Sequence, residues 1–314
     1  MSKRAKAHLA IISANILFGI NYSAAKFAMP TYVSPNAFAL LRIGSAAFLF
    51  WAVFLFVKGE KVDRKDFPRL IFASLFGVVL NQVLFLQGLN HTTPIDSAII
   101  QTANPVLVLV LAAFLLHERI TITKLLGIAV GASGAILLIM QRGALSFGNE
   151  QMLGNFLSLL NTLSYAAYLV IMRPLMQKYS SITVMKWIFL FGLIPIIPMG
   201  FSSVAAISWS TMPVEAWLAI GFVLIGATFF SYLLIARGLK DVKPATVSIY
   251  IYSQPLIASL CAIALGQGKL GTAQIISTIL VFTGVYLVSR STDMLKLALL
   301  PIVAAWKRRF NSQS

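Results

Sequence analysis

The sequence predicts an all-α polytopic membrane protein of ten transmembrane helices, arranged as two five-helix repeats of inverted topology. Two observations lead to this prediction. Of the 314 residues, 59% are hydrophobic and only 11% are charged, so the chain holds more apolar side chains than a soluble core could bury and requires lipid as its solvent. In addition, residues 84–137 align without a gap on residues 234–287, at a shift of 150 positions.

The duplicated stretch is recognisable by its prolines and glycines, because matches among Leu, Ile and Ala carry little weight in so apolar a chain. Four such pairs coincide: Pro94/Pro244, Pro105/Pro255, Gly88/Gly238 and Gly134/Gly284. We interpret this register as an internal repeat. In each copy a second proline interrupts a proline-led apolar run eleven residues later, a pattern typical of broken helices in inverted-repeat carriers.

Ten spans follow from the rule that about 20 apolar residues cross a hydrocarbon layer of about 30 Å. We place them at 7–28, 36–57, 68–89, 94–116, 121–140, 151–173, 182–201, 213–236, 244–266 and 271–289. The first repeat is then 7–140 and the second 151–290. In the remaining tail, 291–314, apolar residues recur at helical spacing, which predicts an interfacial helix; a frayed tail is the alternative.

The orientation follows from the basic residues, which are concentrated in the cytoplasmic loops of membrane proteins. Both termini and the loops after spans 2, 4, 6 and 8 together carry 20 of the 25 Lys and Arg residues. We therefore predict a multi-pass membrane protein with both termini in the cytoplasm. Because five spans per repeat is an odd number, the second repeat enters the membrane in the opposite direction.

The helix breaks near the membrane midplane are the first candidate site. Pro105 and Pro255 each free a backbone carbonyl and follow an amide side chain. We predict that the substrate binds at these breaks, in contact with Gln101, Asn104, Tyr252 and Gln254. The alternative is that each proline only bends its helix and that the amides satisfy the freed backbone.

Polar stripes within the spans are the second candidate site, because polar side chains facing lipid would be costly. Four residues of span 1 share one helical face: Asn15, Gly19, Tyr22 and Lys26. Span 6 repeats this pattern with Asn161, Tyr165 and Tyr168, and a weaker pair in span 3, Asn81 and Gln82, aligns with Ser231 and Tyr232 of span 8. We predict that Asn15, Tyr22, Asn81 and Tyr168 line a cavity; helix–helix packing is the alternative.

Charged residues inside the spans form a third set, for which we predict a gate or coupling role: Lys26, Arg42, Asp96 and Lys186. Asp96 would pair with Arg42 or Lys26 at an external gate. The alternatives are a helix-capping role for Asp96 and snorkelling of Lys186 to the inner surface. Arg42 either snorkels or contacts an anionic group of the substrate.

Several functions are disfavoured by what the sequence lacks. The basic residues flank apolar runs instead of forming a polar face, so nucleic-acid binding is not expected. The single cysteine, Cys261, lies in an apolar run and cannot form an intrachain disulfide. There is no phosphate-binding loop, no metal-ligand spacing among the three histidines and no pair of intramembrane carboxylates. We therefore predict neither enzymatic activity nor a cofactor.

The chain resembles the two-EamA-domain proteins of the drug/metabolite transporter superfamily over roughly residues 8–290. The motifs that carry the resemblance are Asn15-Ile-Leu-Phe-Gly-Ile-Asn-Tyr22, Leu41-Arg42, Asn104-Pro105, Leu116-His-Glu118-Arg-Ile-Thr121, Gly131-Ala-Ser-Gly134, Gly238-Leu239, Gln254-Pro255 and Gly284-Val-Tyr-Leu287. The resemblance implies a bacterial carrier with a central cavity that exports amino acids, related metabolites or toxic compounds by alternating access. This chain departs from the family where Gly268 stands opposite Glu118, and where Phe18 replaces a common tryptophan.

We thus predict a secondary transporter that exports a small organic metabolite or an amino acid across the lipid bilayer, as a monomer or a homodimer. Two alternatives come from other classes. A passive channel would conduct without saturation. A non-transporting assembly partner or sensor would use its polar residues only to connect helices.

Overall fold

A computed structural model shows a bundle of helices joined by short connections. It describes residues 2–57, 59–118, 120–140, 149–264, 272, 275–276, 279–280, 282–284 and 286–288. No strand occurs among these residues. The predicted tenth span, 271–289, is described only at the separate positions given above, which are helical, and the predicted tail, 291–314, lies outside the described residues.

The first repeat begins with two helices whose starts are capped by serine. Ser2 Oγ accepts a hydrogen bond from Ala5 N at the start of α1, and Ser34 Oγ accepts one from Ala37 N at the start of α2. The elements of this repeat are α1 (Lys3–Ala28), α2 (Pro35–Phe54), α3 (Phe67–Ser74), a π-helix (Leu75–Leu80), α4 (Asn81–His91), α5 (Pro94–Ile100), a 3-10 turn (Gln101–Ala103), α6 (Asn104–Leu116) and α7 (Ile122–Met140).

The second repeat follows the same order of elements. They are α8 (Asn149–Lys178), α9 (Ser181–Ala205), α10 (Val214–Gly221), a π-helix (Phe222–Phe230), α11 (Ser231–Asp241), α12 (Pro244–Ile249), a 3-10 turn (Tyr250–Tyr252) and α13 (Ser253–Ala264). Each of the first nine predicted spans coincides with one helix or with a continuous series of helical segments. Span 6 was predicted to end at Arg173, but α8 continues through Pro174 to Lys178, because hydropathy marks only the lipid-covered part of a helix.

The irregular segments occur at matching places in the two repeats. The π-helices lie in the third and eighth spans, and a 3-10 turn lies in each of the fourth and ninth spans, ending one or two residues before the amide of the helix break: Gln101–Ala103 precedes Asn104-Pro105, and Tyr250–Tyr252 precedes Ser253-Gln254-Pro255. Proline has no backbone N–H to donate and its ring displaces the preceding turn, so a tighter 3-10 turn before Pro105 and Pro255 is expected. Such interruptions expose backbone groups inside the bundle, where other side chains can bind them.

The two repeats exchange their first helices. Gly88 of α4 lies against Gly154 and Ser158 of α8, whereas Gly238 of α11 lies against Ile11 of α1. A Cβ atom on Gly88 would come within 3.1 Å of the carbonyl oxygen of Gly154, so only glycine allows this approach. Since α8 packs on the first repeat and α1 on the second, neither repeat forms its core alone.

The side-chain distribution is that of a membrane protein. Large apolar side chains point outward, for example Phe48 at 72% and Phe114 at 76% exposure, while Asn, Gln, Ser and Thr side chains lie inside. Within the part of the chain that the structure describes, six helices or helix series are long and apolar enough to cross a membrane, and Gln101–Leu116 and Ile122–Gly134 are shorter apolar helices. These findings confirm the predicted all-α, multi-span fold.

Candidate functional site

A cavity lies between the two repeats and is lined by polar and aromatic side chains. It offers about 50 Å³ to the centres of water-sized molecules, which is enough for a few waters or a small polar group. The residues that line it are Phe18, Asn21, Tyr22, Arg42, Asn81, Gln82, Phe85, Gln101, Asn161, Tyr165, Tyr232 and Gln254. Because both repeats contribute, the cavity forms only when they pack together.

One wall of the cavity is a hydrogen-bonded series between α1 and α13. Tyr22 OH donates to Gln254 Oε1 at 3.3 Å, and Gln254 Nε2 donates to Asn15 Oδ1 at 2.9 Å. Asn15 Nδ2 in turn donates to the carbonyl of Ile11 at 2.9 Å. Tyr22 and Gln254 therefore face the cavity, while Asn15 lies behind Gln254 and fixes the orientation of its amide.

A second wall carries the buried Arg42 of α2, which is 3% exposed. Its Nε donates to Thr228 Oγ1 at 2.9 Å, and the Thr228 hydroxyl lies 2.8 Å from the carbonyl of Val223, five residues earlier in the π-helix. The guanidinium carbon is 5.7 Å from the centre of the Phe85 ring, a cation–π contact. Arg42 Nη1 has no hydrogen-bond partner.

The third wall joins α4, α8 and α11. Asn81 Nδ2 donates to Asn161 Oδ1 at 2.6 Å, and Tyr232 OH lies 2.8 Å from the carbonyl of Gly77 and 2.9 Å from Asn81 Oδ1. The Tyr232 hydroxyl can donate to either oxygen. This network ties a π-helix of the first repeat to the helix after the π-helix of the second.

Unpartnered polar atoms are concentrated at this cavity. Both amide atoms of Gln82, which is 1% exposed, make no hydrogen bond, and the same is true of Asn21 Oδ1 and Arg42 Nη1. A buried polar group without a partner costs roughly 1–3 kcal/mol, so these four atoms favour the binding of water or another polar molecule in the cavity.

The amides beside the two helix breaks each bind the first helix of the other repeat. Asn104 Nδ2 donates to the carbonyl of Thr162 in α8 at 2.9 Å, just as Gln254 reaches α1. Asn104 is fully buried and does not line the cavity, and its Oδ1 has no partner. Gln101 does line it, and its Oε1 lies 2.7 Å from the Thr162 hydroxyl. The residues that follow the amides, Pro105 and Pro255, are buried.

Two predicted substrate contacts, Tyr168 and Tyr252, lie outside the cavity lining. The Tyr168 ring packs over Gly77, and the Tyr252 ring packs over Gly131. Tyr168 also stacks on Tyr165, a lining residue, at 5.7 Å between ring centres. Both hydroxyls are buried without a hydrogen bond.

Of the charged residues predicted as gates, Arg42 lines the cavity, whereas Lys26 and Lys186 lie outside its lining. Lys26 Nζ donates to the carbonyls of Leu89, Asn90 and Thr92 at the end of α4, at 2.8, 3.1 and 3.0 Å. Lys186 Nζ is surrounded by aromatic rings, 3.0 Å from the centre of the Phe54 ring and 4.6 Å from that of Trp51. The side chain of Asp96 lies outside the described part of the structure.

Two of the residues that line the cavity were not selected from the sequence, and four others were noted as polar positions without being assigned to the site. Gln82, Asn161, Tyr165 and Tyr232 were visible as polar positions inside spans, but Asn21 and Phe85 were not singled out. Asn21 is six positions after Asn15 and falls off the stripe that defined one face of span 1. The cavity covers a wider arc of α1 than that stripe, which hydropathy alone does not reveal.

Among the described residues, no group of three His, Cys, Asp or Glu side chains could hold a metal ion. Cys261, in α13, is a free and partly buried thiol.

Comparison with known proteins gives consistent results. The EamA-like transporter family matches the chain twice, at residues 5–140 and 152–290. The uncharacterized transporter YyaM of Bacillus subtilis is 25% identical over 286 residues, which cover 90% of this chain and 93% of YyaM. An uncharacterized transporter of Archaeoglobus fulgidus is 26% identical, with coverage of 87% and 95%. The plant protein WALLS ARE THIN 1 of Arabidopsis thaliana is 26% identical, with coverage of 86% and 76%.

A solved crystal structure shares the fold. It superposes with a TM-score of 0.72 and covers 91% of this chain and 98% of its own, at 19% sequence identity. The family match spans most of the chain in two copies, in agreement with the duplicated prolines and glycines and with the paired helix breaks. The resemblance seen in the sequence is thereby confirmed: the chain belongs to the EamA-like transporter family.

Proposed function

We propose that the protein is a secondary carrier of the cell (inner) membrane that exports a small organic metabolite or an amino acid by alternating access, with both termini in the cytoplasm. The observation that carries this proposal is the cavity between the repeats, where Gln82, Asn21 and Arg42 present unpartnered polar atoms. Carriers built from inverted repeats bind their substrates at the repeat interface, beside broken helices.

Ion pairs between the two repeats support a carrier whose cavity opens and closes towards one side of the membrane. Lys178 of the second repeat pairs with Asp66 at 2.6 Å and with Asp63, both in the first repeat. Lys243 of the second repeat likewise lies 3.6 Å from Glu118 of the first. All of these residues flank loops that the basic residues assign to the cytoplasm. We propose that these ionic contacts close the cytoplasmic end. Their lysines, Lys178 and Lys243, are 40% and 45% exposed, and ion pairs with a solvated partner break at little cost.

Counterflow in liposomes tests the proposal. Purified protein is reconstituted, loaded with one unlabelled metabolite at a time, and assayed for transient accumulation of the labelled compound. A carrier gives saturable accumulation, whereas a channel gives unsaturable flux and an assembly partner gives neither. Saturable exchange with at least one metabolite is the expected result.

Two glutamines of α4 provide a matched pair of variants. Gln82→Met removes the unpartnered amide from the cavity while keeping the side-chain volume, and we expect about a tenfold or greater loss of apparent affinity. Gln87→Met, on the same helix but outside the cavity lining, removes only the hydrogen bond to Asn36 Oδ1 and should leave the affinity unchanged. Equal effects of the two substitutions would contradict the site assignment.

A further inference from the structure

We infer that the transported molecule is a small organic monoanion whose carboxylate binds Arg42. This inference rests on the proposed carrier function and adds the substrate class. Its basis is the state of the Arg42 guanidinium, which is buried beside the cavity with one nitrogen unpartnered.

The contacts of Arg42 fix its side chain in the way expected of a ligand-binding group. Thr228 accepts from Nε at 2.9 Å, and the Phe85 ring lies 5.7 Å from the guanidinium carbon. These two contacts fix the plane of the guanidinium but leave Nη1 without an acceptor. A guanidinium with a fixed orientation and a free N–H group is suited to a planar carboxylate, which it can bind through charge-assisted hydrogen bonds.

The charge of the site favours an anion over a neutral or zwitterionic ligand. None of the described residues that line the cavity is acidic, so the positive charge of Arg42 has no counter-charge in this lining. A buried charge is strongly unfavourable unless it is paired. A monoanion would neutralise the guanidinium, whereas a zwitterion would also bring in an ammonium group for which the described lining has no carboxylate.

The remaining unpartnered atoms define the neighbourhood of the carboxylate. Gln82 offers both a donor and an acceptor, and Asn21 Oδ1 offers an acceptor. These groups match a hydroxyl or a similar small polar group next to the carboxylate. One guanidinium and about 50 Å³ of space fit a carboxylate better than a phosphate ester, which carries more charge and more oxygen atoms.

The proposed direction of transport, export from the cell, is consistent with an anionic ligand. An inside-negative membrane potential drives an anion out of the cell, because each elementary charge gains free energy as it moves down the potential. Export of a monoanion would therefore need no coupled ion. The chain's net charge of +16, concentrated on the predicted cytoplasmic face, would also attract anions to that entrance.

The experiment compares three molecules of similar shape in the counterflow assay: lactate, lactamide and alanine. Lactate carries a net negative charge, lactamide carries no charge, and alanine carries one positive and one negative charge. Glycolate and pyruvate extend the series of acids. For the native protein we expect saturable exchange of at least one acid. Lactamide should compete at least tenfold more weakly because it lacks the carboxylate and its charge-assisted hydrogen bond, and alanine should do so because its ammonium group would be buried without a carboxylate partner.

The variants Arg42→Gln and Arg42→Lys test the residue itself. We expect Arg42→Gln to bring the affinities for lactate and lactamide within about threefold of each other and Arg42→Lys to retain part of the preference for the acid. Arg237→Gln removes one exposed arginine outside the cavity lining and should retain the full preference. Thermal unfolding in detergent identifies any variant that fails to fold. If Arg42→Gln does not fold, the acid preference of Arg42→Lys is compared with that of the native protein instead.

A valinomycin experiment tests the charge that moves. With a tenfold potassium gradient that makes the liposome interior negative, efflux of labelled acid should accelerate and approach about a tenfold distribution ratio. Saturable exchange of alanine or lactamide in preference to every acid would overturn this inference and leave the carrier proposal in place. Unchanged acid preference in Arg42→Gln would overturn it in the same way, whereas no saturable exchange of any metabolite would overturn both.

Discussion

Lys26 and Arg173 perform the same task in the two repeats, 147 positions apart. Lys26 of α1 donates to the carbonyls of Leu89 and Thr92 at the end of α4. Arg173 of α8 donates to the carbonyls of Leu239 and Val242 at the end of α11, the latter at 3.0 Å. The last carbonyls of a helix have no partner within the helix, and each repeat satisfies them with a cation from its own first helix.

We expect Lys26→Met and Arg173→Met each to lower the free energy of unfolding by about 1–3 kcal/mol, because buried carbonyls lose a charged donor. The two effects should add, since the sites share no partner. Thermal unfolding in detergent measures this, with Lys6→Met, an exposed lysine of α1, as the control. A variant as stable as the control would contradict the capping role.

Gly77 is predicted to tolerate no side chain. A Cβ atom there would collide with the Tyr168 ring, whereas a Cβ on Gly221 would meet nothing within 4 Å. We expect Gly77→Ala to destabilise by about 1–3 kcal/mol through overpacking, and Gly221→Ala to be neutral or to stabilise by up to about 1 kcal/mol through helix propensity. The double variant Gly77→Ala/Tyr168→Leu should be more stable than the sum of its single changes, because the collision is gone.

Thr228 is expected to act by positioning Arg42. Thr228→Val keeps the shape of the side chain but removes the acceptor for Arg42 Nε, so the guanidinium loses its fixed orientation. We expect the apparent affinity in counterflow to fall by about three- to tenfold, with the maximal rate changed less. Ser231→Ala in the same region removes a hydrogen bond to the carbonyl of Gly226 without touching Arg42, and an equal effect there would refute the positioning role.

The contact between Lys178 and Asp63 is predicted to open during transport. Asp63→Cys and Lys178→Cys, combined with Cys261→Ser, place one thiol at each side of this ion pair, within reach of a short thiol-specific cross-linker that contains a disulfide. If the cytoplasmic end opens during transport, the cross-linker should abolish counterflow and a reductant should restore it. Each single-cysteine protein serves as the control, and full activity of the cross-linked protein would show that this end stays closed throughout.

Much of the fold was accessible from the sequence, since the spans, the breaks and the repeat depend on local properties. Proline lacks an N–H wherever it stands, and a run of about 20 apolar residues spans lipid whatever its neighbours are. The candidate site was accessible only in part. Tyr22, Arg42, Asn81, Gln101 and Gln254 do line the cavity, but Asn104 and Tyr168, chosen by the same reasoning, lie behind it.

The sequence by itself determined the number, order and inverted register of the spans, because hydropathy, proline and loop charge act over short stretches of chain. Only the tertiary structure decided which polar atoms meet. Gln254 binds Asn15 across 239 positions and Arg42 binds Thr228 across 186. Such partners depend on how the first helix of each repeat packs against the other repeat, and close packing at Gly88 and Gly238, rather than any local pattern, sets that arrangement.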